Sequence, residues 1–275
     1  MMGLWVASVG VWVGALGGMD SPAREAALDS LVVSEQVEDI TQAIFENNWR
    51  TREGLIDVLE RLRAVSALAD IATQHPKLDA QRLAIRSLGR VEDKAAQIPL
   101  RALLRSNHRD LAVEALGVVG DVSDVVRVRA LLKDERADVR RRAALALVKL
   151  AGHEHLKDLV LLLGDPHHSV RFAMLEPLVS FGEQGAQTLF SVYPHLPVVG
   201  KLLALRLFGQ LHFAPASPIL EDALRDDLWP VQLAAVQSIG NLGGMRWGAI
   251  LKKAQNKVSS PVVIRAIQDV LEQLQ

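Results

Sequence analysis

Four histidines and a carboxylate fall within sixteen residues, as His153-Glu154-His155 and His167-His168. Imidazole nitrogens beside a carboxylate are the donor set of zinc and iron sites. The stretch from His155 to Leu163 between the two groups has apolar residues at helical spacing. At 1.5 Å per residue the ends of that helix stand on the order of 12–15 Å apart, too far to share one ion. The chain has no Cys, which removes thiolate metal sites, disulfides and Cys nucleophiles. No P-loop, nucleotide-binding glycine fingerprint or Gly-x-Ser-x-Gly turn is present. No residue is therefore assigned a catalytic, cofactor-binding or metal-binding role, and no cofactor is expected.

The elements that would position any site repeat along the chain. A turn with Asp precedes a helix carrying Val-Arg, a small pair and an apolar-Gly ending. The clearest copies run from Asp138-Val139-Arg140 to Leu150 and from Ser169-Val170-Arg171 to Phe181-Gly182. Taking the ending Gly, or the residue aligned with it, as a marker gives Gly89, Gly117, Val148, Val179, Gly209, Gly240 and Leu271, with steps of 28, 31, 31, 30, 31 and 31. Each unit reads as two helices. The first of each pair is amphipathic, as in Val126 to Leu132, Ile219 to Leu224 and Trp247 to Lys253. Asp134, Asp165-Pro166 and Asp226-Asp227 occupy the joining turns. A degenerate unit over 36–63 pairs Val37 to Phe45 with Arg52 to Leu62, and residues 20–35 form a linking or capping helix.

The segment LLKDERADVRRRAALALVKLAG and its repetition resemble HEAT repeats, in the short class named after phycobilisome lyases. The likeness covers 64–275, and 36–63 more faintly. It implies an all-α fold, a right-handed α-solenoid of about seven to eight two-helix repeats. A single helix pair cannot bury its own apolar face, so neighbours must stack. The resemblance also implies that the second helices line a concave face and that Arg140 and Arg171, with Arg109 and Lys201, pair with turn aspartates of neighbouring units. Deoxyhypusine hydroxylase, a HEAT enzyme, needs several His-Glu pairs; here only His153-Glu154 forms one, at the wrong phase of the unit.

Three residues before each marker lie Arg86, Glu114, Leu145, Glu176, Arg206, Gln237 and Gln268, and one after it Arg90, Val118, Lys149, Ser180, Gln210, Asn241 and Glu272. These columns are mostly polar, while the positions between them are small or apolar. Arg86, Arg90, Glu114, Lys149, Glu176 and Arg206 are the candidate partner-binding residues of the groove. Its mixed charge suits a protein partner better than a nucleic-acid backbone, which rewards rows of one sign. The arginines at 90–142 are interleaved with acids, and Lys+Arg 31 against Asp+Glu 32 leaves a net charge of -1, so nucleic acid is not the expected partner. Pro177, inside its helix, should kink it. Trp49, Trp229 and Trp247 read as packing between units.

Residues 1–19, MMGLWVASVGVWVGALGGM, carry no charged side chain. They read as a signal peptide or a transmembrane anchor, with Gly10, Gly14 and Gly18 forming a smooth stripe on a helix; a helix buried in a soluble core is the remaining possibility. The expected location is membrane-anchored or periplasmic/exported, in a bacterium. Hydrophobic residues make up 49% with only 4% aromatics, which suits close-packed helices and not a β-sandwich. The expected role is a non-enzymatic scaffold or adaptor that holds a protein partner in the concave face. The alternative is a lyase- or chaperone-like accessory protein for cofactor attachment to a client protein.

Overall fold

The computed structural model describes residues 9–17 and 21–274. Among them there is no strand, and the helices fall into two compact units, Met1–Leu150 and Ala151–Gln275. Unit 1 opens with α1 (Val9–Leu16) and α2 (Ser21–Ser34). Four helix pairs follow: α3 (Val37–Glu46) with α4 (Trp49–Arg61), α5 (Val65–Gln74) with α6 (Leu78–Arg90), α7 (Gln97–Leu103) with α8 (Arg109–Val119), and α9 (Val125–Ala130) with α10 (Ala137–Ala151). Unit 2 holds four more. They are α11 (Leu156–Leu161) with the broken helix α12 (His168–Ala173) and α13 (Leu175–Ser180), α14 (Gly182–Val192) with α15 (Val198–Gln210), α16 (Ser217–Ala223) with α17 (Trp229–Leu242), and α18 (Arg246–Gln255) with α19 (Pro261–Gln273). The eight pairs among the described residues are the two-helix units that the periodicity predicts.

The marker glycines serve a purpose other than ending helices. Gly89, Gly117, Gly209 and Gly240 lie inside α6, α8, α15 and α17. A Cβ at Gly89 would stand 2.9 Å from the Cβ of Ala115, and one at Gly117 2.7 Å from that of Ala146. At Gly209 it would stand 2.6 Å from the Cα of Ser238, and at Gly240 3.0 Å from a methyl of Val270. Each is the point where one second helix touches the next, and only a residue without a side chain permits that approach. The chain turns out of the second helices through left-handed residues instead, at Arg63, Glu92, Gly152, Gly182, His212 and Gly243.

The joining turns share one construction. Asp134, Asp165 and Asp226 each accept a hydrogen bond from the backbone N–H two residues on, at 2.8–2.9 Å. A long side chain six residues after the turn residue then donates to its carbonyl: Gln81 to His75, Arg140 to Asp134, Arg171 to Asp165 and Gln232 to Asp226, all at 2.7–2.8 Å. Arg140 and Arg171 therefore grip the backbone of their own turn. Arg109 does bridge units, donating to Asp134 of the next pair at 2.6 Å. Lys201 lies over the Tyr193 ring at 5.7 Å.

Pro177 acts as expected: its helix is interrupted at Met174, between α12 and α13. Trp247 is buried in the core of unit 2. Trp49 and Trp229, by contrast, open α4 and α17 and are 58% and 50% exposed, so neither is packed away as the sequence reading expects.

The described part of the apolar amino terminus packs on α2 and α4. It is α1, eight residues long. No helix among the described residues is long and apolar enough to cross a membrane. Val9, Val13 and Leu16 of α1 are buried. Leu16 lies over Gly54 of α4, where a Cβ would come within 3.3 Å of its methyl. The Arg24 guanidinium donates to the Leu16 carbonyl at 2.5 Å and closes the end of the helix. Burying Leu16 contributes about 2 kcal/mol. Gly10 and Gly14 face outward and no side chain lies over Gly14. Residues 1–8 and 18–19 of the expected signal or anchor lie outside the described residues.

Candidate protein-binding groove

Amphipathic periodicity sets the exposed face of the second helices. Arg86, Glu114, Glu176, Arg206, Gln237 and Gln268 are exposed, as are Arg90, Val118, Lys149, Ser180, Gln210, Asn241 and Glu272; Leu145 alone of the two columns is half-buried. The register read from the sequence is the register of the structure.

In unit 1 this face carries two adjoining depressions that share Arg90. One, about 380 Å³, is lined by residues of α2, α4 and α6, including Arg24, Glu53, Asp57, Leu83 and Ser87. The other, about 210 Å³, lies between α6 and α8 over Gly89, Leu111, Ala115 and Val118, flanked by Arg86 and Glu114. Its floor exists because Gly89 lets α6 and α8 approach, so the residue that sets the helix contact also shapes the groove.

The structure brings Arg86, Arg90 and Glu114 together here. Two of them are already engaged. Arg90 makes a two-pronged contact to Glu60, at 2.8 and 2.7 Å, and Glu60 also accepts from Ser87 at 2.6 Å. The Glu60 hydrogen bond raises the Arg90 pKa above its ordinary value despite opposing burial. Glu114 is paired with Arg142 of α10. Arg86 has no acid within ion-pairing distance among the described residues. Lys149 is exposed near the end of α10, outside both depressions, while Glu176 on α13 and Arg206 on α15 belong to unit 2. Arg24, Arg82 and Arg142 were missed by the column reading. The i, i+4, i+8 spacing of Arg82, Arg86 and Arg90 is the sequence signal that could have found the second.

The histidines do not converge. His155 contacts Asp158 at 3.4 Å, whereas His167 stacks on His168 with ring centroids 4.8 Å apart and bonds to Ser169 at 2.8 Å. No group of three potential metal ligands forms among the described residues.

Comparison with known proteins fits the helix pairs. Residues 65–149, which span α5 to the last turns of α10, match the family model described as HEAT repeats. Curated proteins give no match. Among solved structures, YibA of Escherichia coli is similar at 15% identity and TM-score 0.49, over 93% of this chain and 98% of that one. Human deoxyhypusine hydroxylase is similar at 19% and 0.41, over 90% and 98%. The CpcE and CpcF complex of phycocyanin lyase from Nostoc sp. is similar at 16% and 0.39, over 98% and 95%. At these identities and scores the likenesses carry nothing about activity. Residues 65–149 are thus HEAT repeats, and the all-α helix-pair plan continues on both sides of them among the described residues.

Proposed function

We propose that the chain is a protein-binding scaffold and that the second-helix face of unit 1 receives the partner. The observation that carries this reading is the pair of depressions joined at Arg90, with an apolar floor and a rim of both charge signs. An apolar floor inside a polar rim is the anatomy of a protein-recognition patch. Nucleic acid fits less well, because the lining mixes acids with its arginines and holds no aromatic side chain for a base to stack on.

A photocrosslinking residue at Val118, on the groove, tests this against one at Val126, exposed on the first helix α9. Irradiation in native cells should join Val118 to a discrete polypeptide and leave Val126 unjoined. Equal yields at both, or none at Val118, would sink the reading. Export or membrane targeting through residues 1–19 is a separate proposal, supported by the charge-free run. Fractionation of the full chain tests it, and a wholly cytosolic distribution would overturn it.

A further inference from the structure

Arg82, Arg86 and Arg90 stand at four-residue intervals along α6 as one row of exposed side chains, of which Arg86 and Arg90 line the groove and Arg82 extends the row by one turn. Their electrostatic states differ. Glu60 neutralises Arg90. Arg82 and Arg86 are exposed and have no acid within 4 Å among the described residues.

The acids on α8 are engaged by other arginines. Asp110 and Glu114 occupy the matching row of α8, but α10 and the turn before it claim both. Glu114 is paired with Arg142, and Asp110 lies 3.5 Å from Arg136 and 3.9 Å from Arg142. Arg82 and Arg86 are thus left without an ion-pair partner among the described residues. Arg142 shows the consequence. Its side chain is only 17% exposed, and its Nε is buried without a hydrogen-bond partner. Burial first, and then the nearby charges of Arg86 and Arg82, push its pKa below the ordinary guanidinium value, against the pull of Asp110.

Beside the unanswered charges lies the apolar floor of Gly89, Leu111, Ala115 and Val118. A ligand that fits must bring negative charge and an apolar group within a few ångströms of each other. A polypeptide does this with adjacent side chains. A nucleic-acid strand fits less well, because this lining holds no aromatic side chain on which a base could stack.

We propose that Arg82 and Arg86 receive an acidic, apolar-flanked segment of a partner protein, its carboxylates on the two guanidinium groups and its apolar side chain over Leu111 and Val118. This rests on the reading of the groove as a protein-binding surface and names the chemistry of what binds there.

Panning a library of random twelve-residue peptides on phage against the full chain tests both readings separately. The expected selection is rich in Asp and Glu next to Leu, Ile or Phe. A synthetic copy of a recovered peptide should bind at least about tenfold more weakly to Arg82→Glu/Arg86→Glu and to Val118→Arg, and more weakly in high salt. All three positions are exposed, and circular dichroism checks that the variants keep their fold. Peptides blocked by Val118→Arg but neutral or basic in sequence would overturn the acidic segment and leave the groove standing. Peptides indifferent to every variant, or no selection at all, would overturn both. A single-stranded DNA oligonucleotide that bound as tightly as the peptide and was lost in the same arginine variant would overturn the proposal in favour of nucleic acid.

Discussion

The Cβ that Gly117 lacks would stand 2.7 Å from the Cβ of Ala146, nearer than two carbons can approach without displacement. This contact brings α8 against α10, and its counterparts at Gly89, Gly209 and Gly240 repeat it at other second-helix contacts. The repeat period read from the sequence is therefore the period of a backbone approach.

Gly117→Ala tests that relationship by sign. In a free helix Ala is favoured over Gly by about 1 kcal/mol. Here the added methyl must push α8 and α10 apart, and overpacking of this kind costs about 1–3 kcal/mol. Urea denaturation should show a net loss of stability. Ala146→Gly in the same chain should return little of it, because the Cα of residue 146 would still stand 2.8 Å from the new methyl. A more stable Gly117→Ala protein would show that the helices are not held at this distance.

The Arg109–Asp134 pair links successive units of unit 1 at 2.6 Å, with both side chains mostly buried. Burial alone would raise the Asp134 pKa. The Arg109 guanidinium and the Arg136 N–H outweigh it and hold the carboxyl below its usual range. A depressed folded-state pKa stabilises the fold fully above the unfolded value near 4, and the gain is lost as pH falls through the folded value. Asp134→Asn should thus have a lower Tm than the wild type at pH 6. The gap should close as pH falls from about 4 towards 2. A gap that stayed constant over that range would remove the charge from the explanation.

Arg171 donates to the carbonyls of Asp165 and Pro166 at 2.7 and 2.9 Å, while Gln232 does the equivalent work for Asp226. The amide of Gln reaches the same place without the charge. Arg171→Gln should therefore keep nearly all of the stability of unit 2. Arg171→Leu leaves two turn carbonyls without this donor and should cost about 1–2 kcal/mol in thermal or chemical denaturation. Equal losses in both variants would mean that the guanidinium acts through its charge.

Helix α1 depends on two contacts, Leu16 over Gly54 and the Arg24 guanidinium on the Leu16 carbonyl. Arg24→Ala should speed amide hydrogen exchange across Val9–Leu16 and leave α5 to α8 unchanged, since peripheral elements open locally. Leu16→Ala should do so more strongly, because a large-to-small change at a buried Leu costs about 2–5 kcal/mol. Unchanged exchange in α1 for both variants would show that these contacts do not hold it.

The sequence by itself determined the helix pairs, their period and the exposed columns. Hydrophobic spacing of about 3.6 and recurring small residues dictate which face of a helix must be covered, so Glu114, Arg206 and Gln268 could be placed on the surface before any coordinates. Pro177 interrupts its helix for an equally local reason, the missing N–H and the ring clash. What only the tertiary structure decided is which surface charges are satisfied. Arg82 and Arg90 are the same residue type on one helix row, yet Glu60, thirty residues from Arg90 in sequence, neutralises one of them and not the other. The contacts of α1 are a second case. Leu16 settling on Gly54 depends on where α4 lies, which no local pattern in residues 9–16 contains. Local periodicity selects the face of a helix; pairing across the stack selects which groups on that face are left to bind something else.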